Sequence, residues 1–190
     1  MKPFIFLLLI CILSIVVPAR AQKQKKCNCL FQSAVNIGLI EGQRESSFQL
    51  QTVNGIAHQK WFAGVGAGLD YYRFRSIPLF FDIRKSFSSK PFAPFIYGDI
   101  GHHFTWERTK EIMFGADLKG GLYVDLGVGM QVAVNRKQSL TLSAGYTYKD
   151  VTEKSRQYIY CIMGPCEGAL QSKHYRLNRL SMKAGWFIRN

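Results

Sequence analysis

One stretch of the chain, residues 120–134, alternates apolar side chains with small or polar ones. The thirteen residues 122–134 are apolar at every even position, whereas Tyr123, Asp125, Gly127 and Gly129 stand between them. Only a β-strand places such positions on two separate faces. Strands of soluble sheets usually run about five or six residues, and this greater length suits a tilted strand that crosses a bilayer. The pattern predicts an apolar face toward lipid and a small, polar face toward a narrow barrel.

The same alternation predicts seven further strands along the chain. They are expected near 31–39, 47–57, 61–71, 77–84, 96–101, 140–149 and 176–188. The connections 58–60, 86–94 and 134–139 are predicted to be short, whereas 102–119 and 150–174 are predicted to be long. Bacterial outer-membrane barrels have an even strand number, short periplasmic turns and longer outer loops. The predicted fold class is therefore all-β: an eight-stranded antiparallel up-and-down transmembrane β-barrel with periplasmic termini.

The first 21 residues predict a secretory signal peptide that is removed before Gln22. Lys2 supplies a positive start, residues 4–17 are apolar except for one serine, and 19–21 form an A-x-A cleavage pattern. The apolar run is shorter than the ~20 residues of a transmembrane helix. The predicted organisation is a signal peptide at 1–21, a flexible basic segment at 22–30 and an outer-membrane barrel at 31–190.

The mature chain is strongly basic. Loss of Lys2 and Arg20 with the signal peptide lowers the formal net charge from +13 to +11. An exported basic chain is expected to meet lipid phosphate or lipopolysaccharide rather than nucleic acid, for which the sequence carries no binding motif. The charge could equally serve only to keep the surface solvated.

Four cysteines remain after cleavage, in two local pairs. Cys161 and Cys166 flank the turn dipeptide Gly-Pro at 164–165, which favours a disulfide between them. Closing so short a loop is worth about 2 kcal/mol in the chain-entropy model. The C-x-C pair at 27–29 would close a small, strained ring.

The alternating runs resemble the small eight-stranded outer-membrane β-barrels of the OmpA/OmpX type, and the broad "outer membrane protein beta-barrel domain" families. They lie at 61–72, 95–101, 122–134, 140–148 and 180–188. The resemblance covers nearly the whole mature chain and concerns architecture, not a short motif. It implies a monomer in the outer membrane of a Gram-negative cell envelope. Such families usually end on an aromatic residue, whereas Phe187 is followed here by Ile188, Arg189 and Asn190.

An eight-stranded barrel is just wide enough for side chains to fill its interior. Buried charges persist only when they are paired, so four acids and three bases on the inward face predict a structural plug. A gated ion or proton path is the functional alternative. The predicted interior polar network consists of Asp70, Asp82, Arg84, Asp99, Asp125, Arg179 and Lys183.

The leading functional hypothesis is an envelope-structural or surface-interaction role, without catalysis. The long loops would meet lipopolysaccharide or an external partner. No cofactor or metal is predicted, and no phosphate-binding loop or dinucleotide fingerprint follows a strand.

Two alternatives remain open. An outer-leaflet lipid-modifying enzyme would use His102 or His103 with Glu107, or His174 with Ser172, although the lipid A deacylase pattern of His and Ser two residues apart on one strand is absent. A soluble periplasmic barrel of lipocalin shape would instead turn the apolar stripe inward and bind a small ligand there.

Overall fold

The computed structural model describes residues 29–42, 46–72, 74–106, 117–157 and 169–189. The signal segment, residues 22–28 and the predicted disulfide pair Cys161 and Cys166 lie outside these ranges. The strands are β1 Leu30–Glu41, β2 Ser46–His58, β3 Trp61–Asp70, β4 Ser76–Ser86, β5 Phe92–Thr105, β6 Asp117–Ala133, β7 Gln138–Gln157 and β8 Ala169–Arg189.

These eight strands form one closed antiparallel barrel in sequence order. β1 pairs with both β2 and β8, and the β1–β8 seam runs from Gln32 opposite Arg189 to Glu41 opposite Leu180. Closure removes the unpaired edge that an open sheet would expose. The predicted all-β fold class, an eight-stranded antiparallel up-and-down barrel, is confirmed. No helix in the described part of the chain is long and apolar enough to cross a bilayer.

The period-two pattern separates the two faces of the barrel as the sequence predicts. On β6, Leu126 and Val128 are 57% and 61% exposed on the outer surface, whereas Tyr123 and Asp125 are buried inside. Outward apolar side chains occur on all eight strands and reach 67% exposure at Leu142. The result is an apolar belt around a polar interior, the reverse of a soluble protein.

The connections at one end of the barrel are all short, whereas two at the opposite end, 106–116 and 158–168, are longer. Residues 59–60, 87–91 and 134–137 make short connections at the end where β1 begins and β8 finishes, which we call the turn end. The opposite end, where β7 and β8 extend furthest, we call the loop end.

The strands at the loop end are longer than the sequence pattern predicts. β5 continues to Thr105, and β7 and β8 run 20 and 21 residues, so the predicted loops 102–119 and 150–174 were wrong in extent. Between Gln138 and Gln157, all 20 residues of β7 pair with β8. Pairing requires only backbone groups, so it continues where the apolar alternation stops. At the turn end, β5 already begins at Phe92, inside the predicted turn 86–94.

A pair of opposed glycines makes room for an interior tyrosine. Gly127 of β6 lies opposite Gly145 of β7, and a Cβ atom at either position would overlap the hydroxyl of Tyr97. That hydroxyl donates a hydrogen bond to Asp125 over 3.1 Å. The glycines therefore allow a tyrosine from β5 to reach across the barrel interior.

Candidate functional site

All seven charged residues that the sequence assigns to the interior are buried in the barrel. Asp82 and Asp125 are fully buried, and Arg84, with 8% exposure, is the most accessible of the set. The remaining members are Asp70, Asp99, Arg179 and Lys183. Alternation along the strands predicts this placement, but it does not predict which residues pair with each other.

A group near the loop end, which we call the loop-end tier, consists of Asp70, Lys149 and Arg179. Asp70 Oδ2 lies 3.0 Å from Lys149 Nζ and 3.0 Å from Arg179 Nη1. Lys149 also donates to Ser76 Oγ over 2.7 Å and to the Phe74 carbonyl oxygen over 3.3 Å. One carboxylate thus holds two cations.

Lys149 belongs to this tier although the sequence analysis did not include it in the network. It is fully buried on β7, two residues beyond the equally buried Thr147. The sequence pattern places it on the same face as Thr141, Ser143 and Thr147, at the last position of that predicted strand. Parity therefore marks it as inward, although the predicted network omits it.

A second group, which we call the turn-end tier, consists of Asp82, Asp99, Asp125, Arg84 and Lys183. Asp82 lies opposite Asp99, and Asp99 lies opposite Asp125, so three carboxylates form a row across β4, β5 and β6. Like charges directly opposite one another destabilise a sheet unless something neutralises them.

Two cations form ion pairs with the three carboxylates of this row. Lys183 Nζ lies 3.4 Å from Asp99 Oδ2 and 3.0 Å from Asp125 Oδ2. Arg84 donates three hydrogen bonds of 2.5–2.9 Å to the carboxylate of Asp82. Two cations therefore hold three carboxylates, and one oxygen, Asp99 Oδ1, is buried without a hydrogen-bond partner among the described residues.

The two tiers together are electrically balanced. The loop-end tier has one carboxylate and two cations, and the turn-end tier has three carboxylates and two cations. Four acids therefore face four bases, and the balance depends on Lys149. Buried charges cost free energy unless they are paired and hydrogen-bonded, so this balance makes a filled interior feasible.

Apolar clusters accompany both tiers inside the barrel. Near the loop end, Ile40, Tyr72, Val151 and Leu177 pack together, with Tyr72 beneath the guanidinium of Arg179 at 5.0 Å. The second cluster contains Ala34, Val53, Phe62, Phe80, Tyr123 and Phe187. Its Tyr123 hydroxyl accepts a hydrogen bond of 2.9 Å from Gln51. Among the described residues, apolar side chains that pack together and charged side chains that form ion pairs thus fill the interior of the barrel.

The histidines at the loop end occupy different environments. His102 is exposed beside the ring of Phe104, with centroids 4.8 Å apart. His103, the other candidate of the enzyme alternative at this position, is fully buried. Its Nε2 atom lies 2.7 Å from the Asp150 carbonyl oxygen and 3.1 Å from the Gly121 backbone nitrogen.

His103 is inside because it continues the inward parity of Phe95, Tyr97 and Asp99 along β5, which runs further than predicted. The β6–β7 register shifts between Gly120 and Tyr123, so the backbone at Gly121 is outside the regular ladder. His103 contacts the backbone at this irregularity, which a sequence pattern does not reveal.

His174 remains on the surface, where its Nδ1 atom lies 3.1 Å from Thr152 Oγ1. Ser172, its predicted partner, is exposed. Glu107, the predicted partner of His102 or His103, lies outside the described residues.

Comparison with known proteins identifies the fold. No family model and no curated protein sequence matches the chain. The crystal structure of Neisserial surface protein A (NspA) is similar over 84% of this chain and 96% of that chain, with a TM-score of 0.55 and 14% sequence identity.

Two further crystal structures match at lower similarity. A major outer membrane protein from Thermus thermophilus gives a TM-score of 0.48 at 12% identity, over 86% of this chain and 100% of that one. The outer membrane enzyme PagL gives 0.43 at 12% identity, over 83% and 98%. At these scores neither carries an argument, and the match to PagL gives no support for catalysis. The closed barrel and its similarity to NspA show that this chain has the fold of the small eight-stranded outer-membrane β-barrels.

Proposed function

We propose that this protein is a monomeric, non-conducting β-barrel of the outer membrane with an envelope-structural or surface-interaction role. The observation that carries the proposal is the combination of an apolar outer belt with a charge-balanced, side-chain-filled interior. The belt requires a lipid surrounding, and the interior holds no charge in excess among the described residues.

The outward belt supports insertion into lipid. Soluble monomers rarely expose contiguous apolar patches larger than a few hundred Å². Here Phe81, Leu142 and Met182, on three different strands, are each 66–67% exposed. The lipocalin-like alternative required the apolar stripe to face inward. The stripe faces outward, which is evidence against a soluble barrel of that kind.

The loop end supports a role in surface contact. The paired ends of β7 and β8 carry exposed basic side chains at Lys154, Lys173 and Arg176, beside the exposed His174. Basic groups near an anionic membrane surface attract phosphate. We propose that this hairpin meets lipopolysaccharide or an external partner from outside the cell, while a cleaved signal peptide accounts for export.

The paired charges support a closed interior. An ion that crossed the barrel would have to displace both tiers, whose ion pairs span 2.5–3.4 Å. We expect the purified protein to give no unitary conductance in planar lipid bilayers. Regular channel openings would instead favour a gated ion or proton path through the barrel.

Cell fractionation with cysteine labelling tests the membrane location and orientation. In a background with every native cysteine replaced by serine, Lys173→Cys and Lys137→Cys place one thiol at each end of the barrel. An impermeant reagent on intact cells should label position 173 and not 137, and lysed cells should label both. Recovery in the soluble periplasmic fraction, or the opposite labelling, would refute the proposal.

We also propose that the loop-end histidines have no catalytic role. His103 is buried with its Nε2 atom against backbone groups of Asp150 and Gly121, and His102 lies against Phe104. His102→Ala and His174→Ala should leave the cellular lipid A profile unchanged by mass spectrometry. A profile that differs between overexpressed wild type and either variant would favour the enzyme.

A further inference from the structure

The turn end of the barrel opens into a cavity with a strongly basic lining. Its outer part has a volume of about 420 Å³, and a narrower inner part of about 120 Å³ continues toward the interior. The two parts share the lining residues Gln59, Lys60, Ser86, Gln131 and Arg189. We call this cavity the basic mouth.

Five cationic side chains line the basic mouth, and no carboxylate does among the described residues. The cations are Lys60, Arg84, Lys90, Arg136 and Arg189. Within the described part of the chain, only Arg84 of these five has an ion-pair partner, Asp82, so four positive charges are uncompensated. The adjacent turn-end tier has one negative charge in excess, so the four uncompensated cations and this tier together still carry a net positive charge of three among the described residues.

Arg84 stands at the inner limit of this cavity. Its Nε and Nη2 atoms donate to Asp82, whereas Nη1 makes no hydrogen bond to a described residue. The side chain is 10% exposed, and the guanidinium lies 4.7 Å from the ring centroid of Phe187 and 5.7 Å from that of Phe62. The rings and Asp82 therefore hold the guanidinium in place with one donor group still available.

We propose that the basic mouth binds a small phosphate-bearing anion, with Arg84 as the inner anchor and the other four cations as an outer collar. Hydroxyl and amide donors at Ser86, Ser88 and Gln131 add neutral hydrogen bonds to the lining. The remaining Nη1 group of Arg84 offers a charge-assisted donor to phosphate, and four uncompensated charges favour a dianion over a monocarboxylate. The outer volume falls within the range of about 300–1,000 Å³ typical of small-ligand pockets.

The phosphate could belong to a free ester in the periplasm or to a lipid headgroup. The test uses the full-length mature protein in nanodiscs of phosphatidylcholine, with glycerol 3-phosphate as the probe and isothermal titration calorimetry as the readout. We expect saturable binding. Adding phosphatidylglycerol to the nanodisc should weaken it if headgroups occupy the mouth and leave it unchanged if the free ester is the ligand.

The chain offers a charge-matched control. Lys90→Gln/Arg136→Gln removes two lining cations, whereas Lys85→Gln/Lys137→Gln removes two cations at the same end that do not line the cavity. Lys85 instead lies over the outer ring of Trp61 at 4.9 Å. We expect the first pair to weaken binding by about tenfold or more, and the second by less than about twofold.

Two outcomes would overturn the site. Equal weakening by both pairs would mean general attraction to a basic surface, and an absence of saturable binding to the wild type would mean that no site exists. Arg84→Lys tests the anchor separately, because it keeps a cation beside Asp82 but removes the Nη1 donor. If that variant folds and binds like the wild type, Arg84 is not the anchor.

Discussion

The two charged tiers inside the barrel hold acids and bases in opposite proportions. In the loop-end tier, Asp70 is shared by Lys149 and Arg179. In the turn-end tier, Lys183 is shared by Asp99 and Asp125, while Arg84 holds Asp82. The loop-end tier has one positive charge in excess and the turn-end tier has one negative charge in excess. The buried charge of the interior is therefore balanced only when both tiers are counted together.

This difference indicates which residue in each tier contributes most to the stability of the folded barrel. In each tier one ion bridges two partners: Asp70 at the loop end and Lys183 at the turn end. Removing a bridging ion leaves two buried like charges. Removing one partner of a bridging ion (Lys149, Arg179, Asp99 or Asp125) leaves every remaining charge with a partner. Identical substitutions in the two tiers should therefore have unequal effects.

The largest effect is expected for Asp70→Asn. It leaves Lys149 and Arg179 buried without a carboxylate, and the guanidinium cannot lose its proton. Breaking a buried pair in this way costs about 3–5 kcal/mol. Urea unfolding in lipid vesicles, followed by tryptophan fluorescence, should show this loss. Adding Lys149→Met should recover part of it; a stability equal to the wild type would contradict the bridging role of Asp70.

A loss nearly as large is expected for Lys183→Met. Asp99 and Asp125 then face each other across β5 and β6 with no cation between them. The same unfolding assay should show a loss of about 3 kcal/mol, the lower end of the range for a broken buried pair. Asp99→Asn in the same chain should restore much of the stability, and its failure to do so would place the defect elsewhere than in the carboxylate row.

A smaller effect is expected for Lys149→Met, although this lysine is as buried as Lys183. Asp70 keeps its 3.0 Å pair with Arg179, and the principal loss is the hydrogen bond to Ser76. One unsatisfied buried group costs about 1–3 kcal/mol. A destabilisation greater than that of Lys183→Met, in the same assay, would reverse the proposed order.

The smallest effect is expected for Asp99→Asn, the direct counterpart of Asp70→Asn. It brings the turn-end tier to two carboxylates and two cations, and Lys183 keeps its 3.0 Å contact with Asp125. We expect a stability within about 1 kcal/mol of the wild type, since one Asp99 oxygen already lacks a partner among the described residues. A loss as large as that of Asp70→Asn would show that the two tiers do not differ.

The fold could be predicted from the sequence because a membrane barrel is specified by local alternation. On β6, each residue from Leu122 onward has its face determined by parity alone, and the structure confirms those faces. The extent of β7 and β8 could not be predicted in this way. Outside lipid, the outer face of a strand meets water and the apolar alternation stops, while backbone pairing continues to Gln157.

The charged residues of the interior could also be predicted from parity, and Lys149 stands on the inward face of its predicted strand although the predicted network omits it. His103 could not be predicted in this way, because parity identifies an inward residue only where a strand is recognised and residue 103 stands in the predicted loop 102–119. Its contact with Gly121 lies at the register shift between β6 and β7, which nothing in the neighbouring residues indicates.

The sequence by itself determined the strand number, the inward and outward faces and the charged content of the interior, because each follows from neighbours a few residues away. Only the tertiary structure decided the pairing. Asp70 meets Arg179 across 109 residues of chain, and Lys183 meets Asp99 across 84. Barrel closure and strand register set those contacts, so the opposite charge ratios of the two tiers exist only in the folded barrel.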